Sequence, residues 1–256
     1  MGLPSSVVLS ALEFDVVWES LRLPARHVAL DVPSPGVTRN ERAELVTGAW
    51  AALAGRGLAE NGRVDTELAD RLAVLAYPER SVDGWIWTDR EIRGLAGQVG
   101  REAMLAVIDR GEVWLIPARD SSLVEAAVSM AGECPPGRGR STSVPLDALR
   151  SADRAAGGDP QSLVVELTEL DVPLGKAQIM ARMFAGLVGR GQFGAQRMDA
   201  RRATHRARRV VAFHDTGTGR YLYLTRPSPD GQLWATVTPA DNRALAAAVW
   251  ELLDEV

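Results

Sequence analysis

The residue pattern that most resembles a ligand-binding motif is a glycine motif, G-x-G-x-x-G, at residues 189–194, with Asp215 about twenty residues further on. A dinucleotide site needs such glycines between a strand and the N-terminus of a helix, so that backbone amides face the pyrophosphate. Here the glycines follow residues 179–188, whose apolar positions have helical spacing, so they would lie at the wrong end of a helix. The similar Gly-Arg-Gly at 55–57 has no third glycine in place. We interpret both as helix C-caps and not as a nucleotide site.

Other residues with catalytic potential are isolated from one another. His27, His205 and His214 lie in unrelated segments without metal-ligand spacing. His214 precedes Asp215 at a predicted hairpin, but no nucleophile motif accompanies the pair. Cys134 stands beside Pro-Pro-Gly with no nearby histidine to lower its pKa. The sequence therefore predicts no catalytic residues, no metal site and no cofactor.

A basic run extends from Arg197 to Arg209 and includes His205. Such a run could contact phosphates, and a nucleic-acid-binding regulator is the alternative function that it supports. However, no aromatic residues are interleaved for base stacking, and the chain as a whole has a net charge of −4. We interpret the run as a solvated, mobile connector and expect no nucleic-acid partner.

Aromatic residues alternate in two segments. Trp85 and Trp87 share one face of a predicted strand, and so do Tyr221 and Tyr223. Such side chains are most often core residues. An antiparallel sheet can also leave one face uncovered, and aromatic residues there would form a binding surface.

The elements that would position these residues form two similar units. The second unit, 209–253, predicts strands at 210–214, 221–225 and 233–237 and then a helix. The first unit, 85–130, repeats this order, with Gly-Glu-Val-Trp at 111–114 matching Gly-Gln-Leu-Trp at 231–234 and a Pro-Ala pair after each. We also align the helical residues 53–57 with 187–191, in a register that matches Asp65 with Asp199.

The predicted organisation is one domain with two halves, 1–132 and 144–256, joined by a Pro- and Gly-rich linker at 133–143. A further short strand is predicted at 27–32. The expected fold class is α/β of the α+β type. It has a central, largely antiparallel twisted sheet with helical bundles and two halves related by a pseudo-two-fold axis.

The composition favours a cytoplasmic protein. One cysteine in 256 residues excludes an internal disulfide framework and fits a reducing compartment. Residues 1–6 lack the basic segment of a signal peptide, and no stretch approaches the roughly twenty apolar residues of a membrane helix, so we expect no membrane insertion.

Taken in order, four segments resemble the EspG family, the secretion-associated cytosolic proteins of actinobacterial type VII (ESX) systems. They are LSALEFDVVW (9–18), HVALDVPSPG (27–36), RGQFG (190–194) and AFHDTGTGRYLYLTRPSPDGQLWATVTPADNRALAAAVWELL (212–253). The resemblance spans the chain, and its specificity lies in the ordered set, because no segment is a catalytic fingerprint.

This resemblance implies a non-enzymatic chaperone that binds a helical substrate heterodimer of the PE–PPE type, shields its apolar tip and delivers it for secretion. In the family, cargo contacts come from the sheet, from the loop between its second and third strands and from the C-terminal helical part. That loop maps to 97–101, where it is short, so the cargo could also be a WXG-type pair.

The partner-binding residues that we predict are Trp85, Trp87, Gln98, Arg101 and Trp250. An enzyme of unrecognised type is a further alternative function, and the sequence leaves open a monomer or a homodimer.

Overall fold

The computed structural model describes residues 6–256. The N-terminal residues on which the signal-peptide expectation depends, 1–5, lie outside the described part. Among the described residues, no helix is both long and apolar enough to cross a membrane.

One large antiparallel sheet organises the chain. Its strands are β1 (Val7–Ser10), β4 (Arg80–Trp87), β5 (Glu91–Val99), β6 (Glu102–Asp109), β7 (Glu112–Arg119), β8 (Thr142–Pro145), β9 (Leu187–Met198), β10 (Thr204–Arg206), β11 (Val211–Thr216), β12 (Gly219–Pro227) and β13 (Leu233–Pro239). A separate hairpin pairs β2 (Ala59–Glu60) with β3 (Arg63–Val64). Every named strand pair in both sheets is antiparallel, as the sequence predicts.

Five of the helices in residues 6–256 begin at a side chain that caps their free amides. Ser10 and Thr38 each form a capping box with the glutamate three residues on, and Asp65, Asp159 and Asp241 accept from first-turn amides. The helices are α1 (Ala11–Ser20), α2 (Arg39–Gly55), α3 (Thr66–Ala76), α4 (Leu123–Ser129), α5 (Leu146–Ala156), α6 (Pro160–Glu169), α7 (Leu174–Phe184) and α8 (Asn242–Asp254).

The strand order shows the internal symmetry. It runs β1-β7-β6-β5-β4-β9-β11-β12-β13-β8, so β4 and β9 meet at the centre and each strand on one side has a counterpart on the other. Helices follow the same rule, because α3 and α7 precede the central strands while α4 and α8 follow β7 and β13. Since β4 and β9 are antiparallel, the pseudo-two-fold axis lies perpendicular to the sheet and puts equivalent helices on the same face.

The two faces of the sheet are covered differently. On the face that we call the paired-helix face, α4 and α8 pack over a core that includes Val82, Ile86 and Phe193. On the opposite face, the lobe face, α1–α3 cover one end of the sheet around Leu95, and α5–α7 cover the other end around Val237. The centre of the lobe face lies between these two helical lobes.

The interpretation of residues 189–194 as a helix C-cap is wrong, because α7 ends at Phe184 and these glycines belong to central strand β9. The alignment of 53–57 with 187–191 fails for the same reason, since the first segment is helical at the end of α2. Glycine is required in β9 by close packing: a Cβ at Gly191 would lie 2.5 Å from Phe213 Cε1 and 2.9 Å from the Trp85 carbonyl oxygen.

We therefore expect Gly191→Val to lower the free energy of unfolding by roughly 2–3 kcal/mol through overpacking against the Phe213 ring. Urea denaturation followed by far-UV circular dichroism measures this. Gly175→Ala in α7 is the control, since its added Cβ meets nothing within 4 Å, and stability should be unchanged or slightly raised. Equal stability of the two variants would contradict the packing role of Gly191.

Two further expectations are corrected. Residues 27–32 are not a strand, because Val28–Leu30 form a 3₁₀ turn that His27 caps by accepting from the Ala29 amide. The basic run is not a free connector, because its first residues end β9 and Thr204–Arg206 form β10. Arg206 from that strand forms two hydrogen bonds to the buried Asp83, at 2.9 and 3.1 Å. The hairpin that β9 and β10 form is thereby attached to the central strand β4.

The predicted linker at 133–143 packs against β12. Pro136 bridges Arg220, Gly137 lies against the Tyr221 ring, and Thr142 begins edge strand β8. The division of one domain into halves at this segment stays a prediction.

Candidate functional site

The centre of the lobe face presents two partly exposed tryptophans. Trp85 and Trp87 are half-buried on β4, and their ring centroids are 6.4 Å apart with the rings tilted by 22°. Neither residue belongs to the three hydrophobic clusters that form the core. The alternation in the sequence thus places both rings on one face, as predicted, and both rings keep part of their surface accessible there.

Strand register surrounds these rings with charge. Trp85 is directly opposite Arg93 on β5, and Trp87 is directly opposite Arg190 on β9. The guanidinium carbons lie 5.5 Å and 5.7 Å from the respective ring centroids, within the range of cation–π attraction. The Trp87 indole also donates to Glu91 Oε2 at 3.3 Å. These contacts hold the two rings in place and give them a polar rim, the arrangement typical of an interaction surface.

Two exposed aliphatic residues lie at the start of β9, beyond the end of its pairing with β4. Leu187 and Val188 are 52% and 62% exposed, and they precede Arg190, the partner of Trp87 in the sheet. We call Trp85 and Trp87 the aromatic strip. The helical spacing of the sequence assigned both aliphatic residues to the buried stripe of a helix, so their exposure was not predicted. The period-two alternation of the strand that follows them was the available signal.

The remaining predicted partner residues lie elsewhere. Gln98 is near the other end of β5, on the paired-helix face, and its amide donates to the Gly100 carbonyl at 2.9 Å. Arg101 is exposed in the tight turn that joins β5 to β6, where Gly100 has a φ of +56°. The structure therefore does not bring these two residues together with the tryptophans.

Trp250 lies on α8, on the paired-helix face. Its indole donates to Glu125 Oε1 of α4 at 3.0 Å. The ring borders a groove of about 390 Å³ between α4 and α8, whose floor includes Val128 and Ala246. Trp85 and Trp250 are therefore on opposite sides of the sheet, and one compact partner cannot cover both.

The position of His214 is fixed by packing. The His214 ring stacks between Phe184 and Tyr221, with centroid distances of 4.6 Å and 5.2 Å, and its Nε2 lies 2.9 Å from the Met183 carbonyl oxygen. Burial lowers the pKa of His214 against the opposing effect of that hydrogen bond. Among residues 6–256, no group of three or more His, Cys, Asp or Glu side chains could hold a metal ion.

The lowered pKa of His214 predicts a pH-dependent stability. In the unfolded chain this histidine takes up a proton below about pH 6.5, whereas the buried ring resists it, so stability is lost as pH falls below that value. We expect His214→Gln to reduce the dependence of the unfolding free energy on pH by at most about 1.4 kcal/mol per pH unit. Burial also lowers the pKa of His27, so part of the pH dependence remains in the variant. Chemical denaturation between pH 7.5 and 5.5 measures this, and parallel curves for both proteins would contradict the assignment.

Part of the basic run is engaged within the protein. Arg206 binds Asp83, His205 Nε2 lies 2.9 Å from Asp199 Oδ2, and the Arg209 guanidinium pairs with Glu255. These pairs reduce the positive charge that a nucleic-acid site in this run could offer.

The fold and the aromatic strip together define a pseudo-symmetric α/β protein with two partly exposed tryptophans on its central strand β4. The model of the EspG family matches residues 10–251, and the chain belongs to the EspG family.

A similar solved structure supports the fold. The Mycobacterium tuberculosis type VII secretion system chaperone EspG5, solved in complex with the PE25–PPE41 dimer, superposes with a TM-score of 0.75 at 15% sequence identity. The alignment covers 97% of this chain and 96% of that one. An isomerase-inactive variant of GphF DH1 aligns over 92% of this chain and 89% of that one at 11% identity, with a TM-score of 0.16. No curated protein sequence matches this chain.

Proposed function

We propose that this protein is a cytoplasmic, non-enzymatic chaperone of a type VII secretion system that binds a helical PE–PPE substrate pair. Membership of the EspG family and the fold shared with EspG5, which was solved bound to such a dimer, support this proposal. The observation that carries it is the aromatic strip, an apolar surface between two helical lobes that none of the described core clusters includes.

The strip has the chemistry to cover the apolar tip of a helical bundle. Trp85 and Trp87 offer flat, preordered rings that remain partly exposed. Large aromatic side chains that are already ordered lose little conformational entropy on binding and dominate interface energetics. Arg93 and Arg190 at the rim would select acidic or carbonyl-bearing groups around that tip.

Binding would be stoichiometric, with no turnover. A chaperone that shields an apolar tip prevents its self-association and must later release it at the secretion machinery, so its affinity stays moderate. Arg101 would contribute only from the turn between β5 and β6, which is too short to reach far along a partner, and Gln98 lies on the opposite face of the sheet from the strip. That short turn leaves a WXG-type pair as a second cargo class.

The proposal is tested by co-expression with helical-hairpin proteins encoded beside this gene, followed by size-exclusion chromatography with mass determination. We expect a soluble complex of defined stoichiometry with a PE–PPE pair. Recovery of only WXG-type pairs would assign the second cargo class. If each candidate is soluble alone and none co-elutes, the chaperone function is rejected for this protein.

A further inference from the structure

A second surface feature lies at the edge of the C-terminal lobe. A pocket of about 470 Å³ opens between α7, the segment 138–140 and the residues before β12. Three arginines, Arg138, Arg140 and Arg182, border it, and its floor is apolar, with Ile179, Met183 and the Tyr221 ring. Three arginines around an apolar floor give this pocket a high local positive charge.

The three guanidinium groups are uncommitted. Across residues 6–256, no ion pair or side-chain hydrogen bond engages Arg138, Arg140 or Arg182, although many other arginines are paired. Like charges brought together in one concave site repel each other, so an anion that enters would relieve this repulsion.

The backbone that carries these arginines is fixed. The Tyr221 hydroxyl donates to the Arg138 carbonyl at 2.9 Å, and the Thr142 hydroxyl donates to the Arg140 carbonyl at 3.2 Å. Gly137 packs directly on the Tyr221 ring, where an added Cβ would lie 2.1 Å from Cζ. Arg182 extends from the last turn of α7. The charges are therefore presented from anchored positions, and little backbone entropy is lost when a ligand binds.

We propose that this pocket binds an acidic peptide segment, in which carboxylates flank an apolar side chain. Guanidinium forks match carboxylates with paired hydrogen bonds, and Ile179 and Met183 would receive the apolar side chain between them. A long polyanion is disfavoured because the chain has a net charge of −4. This site is separate from the aromatic strip and does not depend on the proposed chaperone function.

Sheet register relates the two surfaces. Trp87, Arg190, His214 and Tyr221 lie directly opposite one another on β4, β9, β11 and β12, so the pocket is three strand spacings, about 14 Å, from the strip. The end of α7 lies between them, with Phe184 over His214. A partner on the strip therefore would not need to block the pocket.

The test uses the peptide acetyl-Glu-Leu-Glu-amide and records arginine side-chain NMR signals of the full-length protein during titration. We expect signals of Arg138, Arg140 and Arg182 to shift, and the triple variant R138Q/R140Q/R182Q to bind at least about tenfold more weakly. The control R39Q/R63Q/R119Q removes equal charge from exposed arginines elsewhere and should bind normally. Unchanged thermal unfolding of both variants shows that their folds are intact.

Three outcomes would overturn the proposal. Equal affinity of the site and control variants would show that binding is a general charge effect. Equal binding of acetyl-Gln-Leu-Gln-amide would show that carboxylates are not recognised. Tighter binding of inorganic phosphate than of the acidic peptide would assign the pocket to a phosphate ligand. The W85A/W87A variant should bind the acidic peptide with unchanged affinity. Failure of the acidic-peptide proposal is therefore distinguishable from failure of the chaperone proposal.

Discussion

Replacement of Arg220 by methionine is expected to destabilise the protein by roughly 3–5 kcal/mol, the largest effect that we expect from a single substitution. The Arg220 side chain is 0% exposed, and its Nε and one Nη each donate to Asp215 carboxylate oxygens at 2.8 Å. Methionine would leave Asp215 facing the interior without its counter-ion. An unpaired buried charge costs far more than the pair contributes.

Arg220 also connects segments that are distant in sequence. It donates to the carbonyls of Ala131 and Gly132 after α4 and to the Asn242 side chain at the start of α8, and its guanidinium lies 4.5 Å from the Phe213 ring centroid. It thereby joins the two helices of the paired-helix face to β12. Its loss should loosen both helices and the start of the 133–143 segment.

Urea unfolding followed by tryptophan fluorescence measures this effect. Arg226→Met is the matched control, because Arg226 lies on the same strand and face but pairs with Glu251 in solvent, where an ion pair contributes about 1 kcal/mol or less. A difference below about 1 kcal/mol between the two variants would show that Asp215 finds other partners.

The second large effect concerns binding. We expect the double variant W85A/W87A to weaken cargo affinity by at least 2 kcal/mol, or about 30-fold, because ordered aromatic rings at the centre of an interface are typical hot spots. Its stability should change little relative to a core variant, since both rings are half-buried and lie outside the core clusters. Calorimetric titration of the co-purified cargo pair into each variant measures the affinity.

Tryptophans on the other face are the controls. Trp114→Ala changes a ring on β7 that is 39% exposed, and Trp250→Ala changes one on α8. If cargo covers the aromatic strip, both controls bind normally. Loss of affinity in Trp250→Ala with normal affinity in W85A/W87A would move the cargo site to the groove between α4 and α8.

Several features could be predicted from the sequence because they depend on local pattern. The Gly-x-Val-Trp and Gly-x-Leu-Trp segments marked β7 and β13, and the alternation at Trp85 and Trp87 placed both rings on one face. The capping boxes at Ser10 and Thr38 mark two helix starts in the sequence, since a side chain bonds to amides two or three residues away. The ordered set of segments also identified the family.

The central strand β9 was not predicted from the sequence. Leu187 and Val188 continued a helical apolar stripe, and the glycines after them matched a helix end, so the local pattern favoured the wrong element. Pairing with β4 on one side and β11 on the other decides its conformation, since both partners are far away in sequence. Small residues are needed there because Phe213 occupies the space beside Gly191.

The sequence by itself determined the duplicated strand and helix order, the antiparallel character of the sheet and the faces on which aromatic side chains lie, because all three follow from short-range periodicity. Only the tertiary structure decided which distant residues contact each face of the sheet. In the folded protein Trp250 and Trp85 lie on opposite faces, and Arg206 binds Asp83. Three arginines from two segments, Arg138, Arg140 and Arg182, border one pocket. These arrangements depend on contacts between distant segments, and a one-dimensional pattern does not contain the packing that creates them.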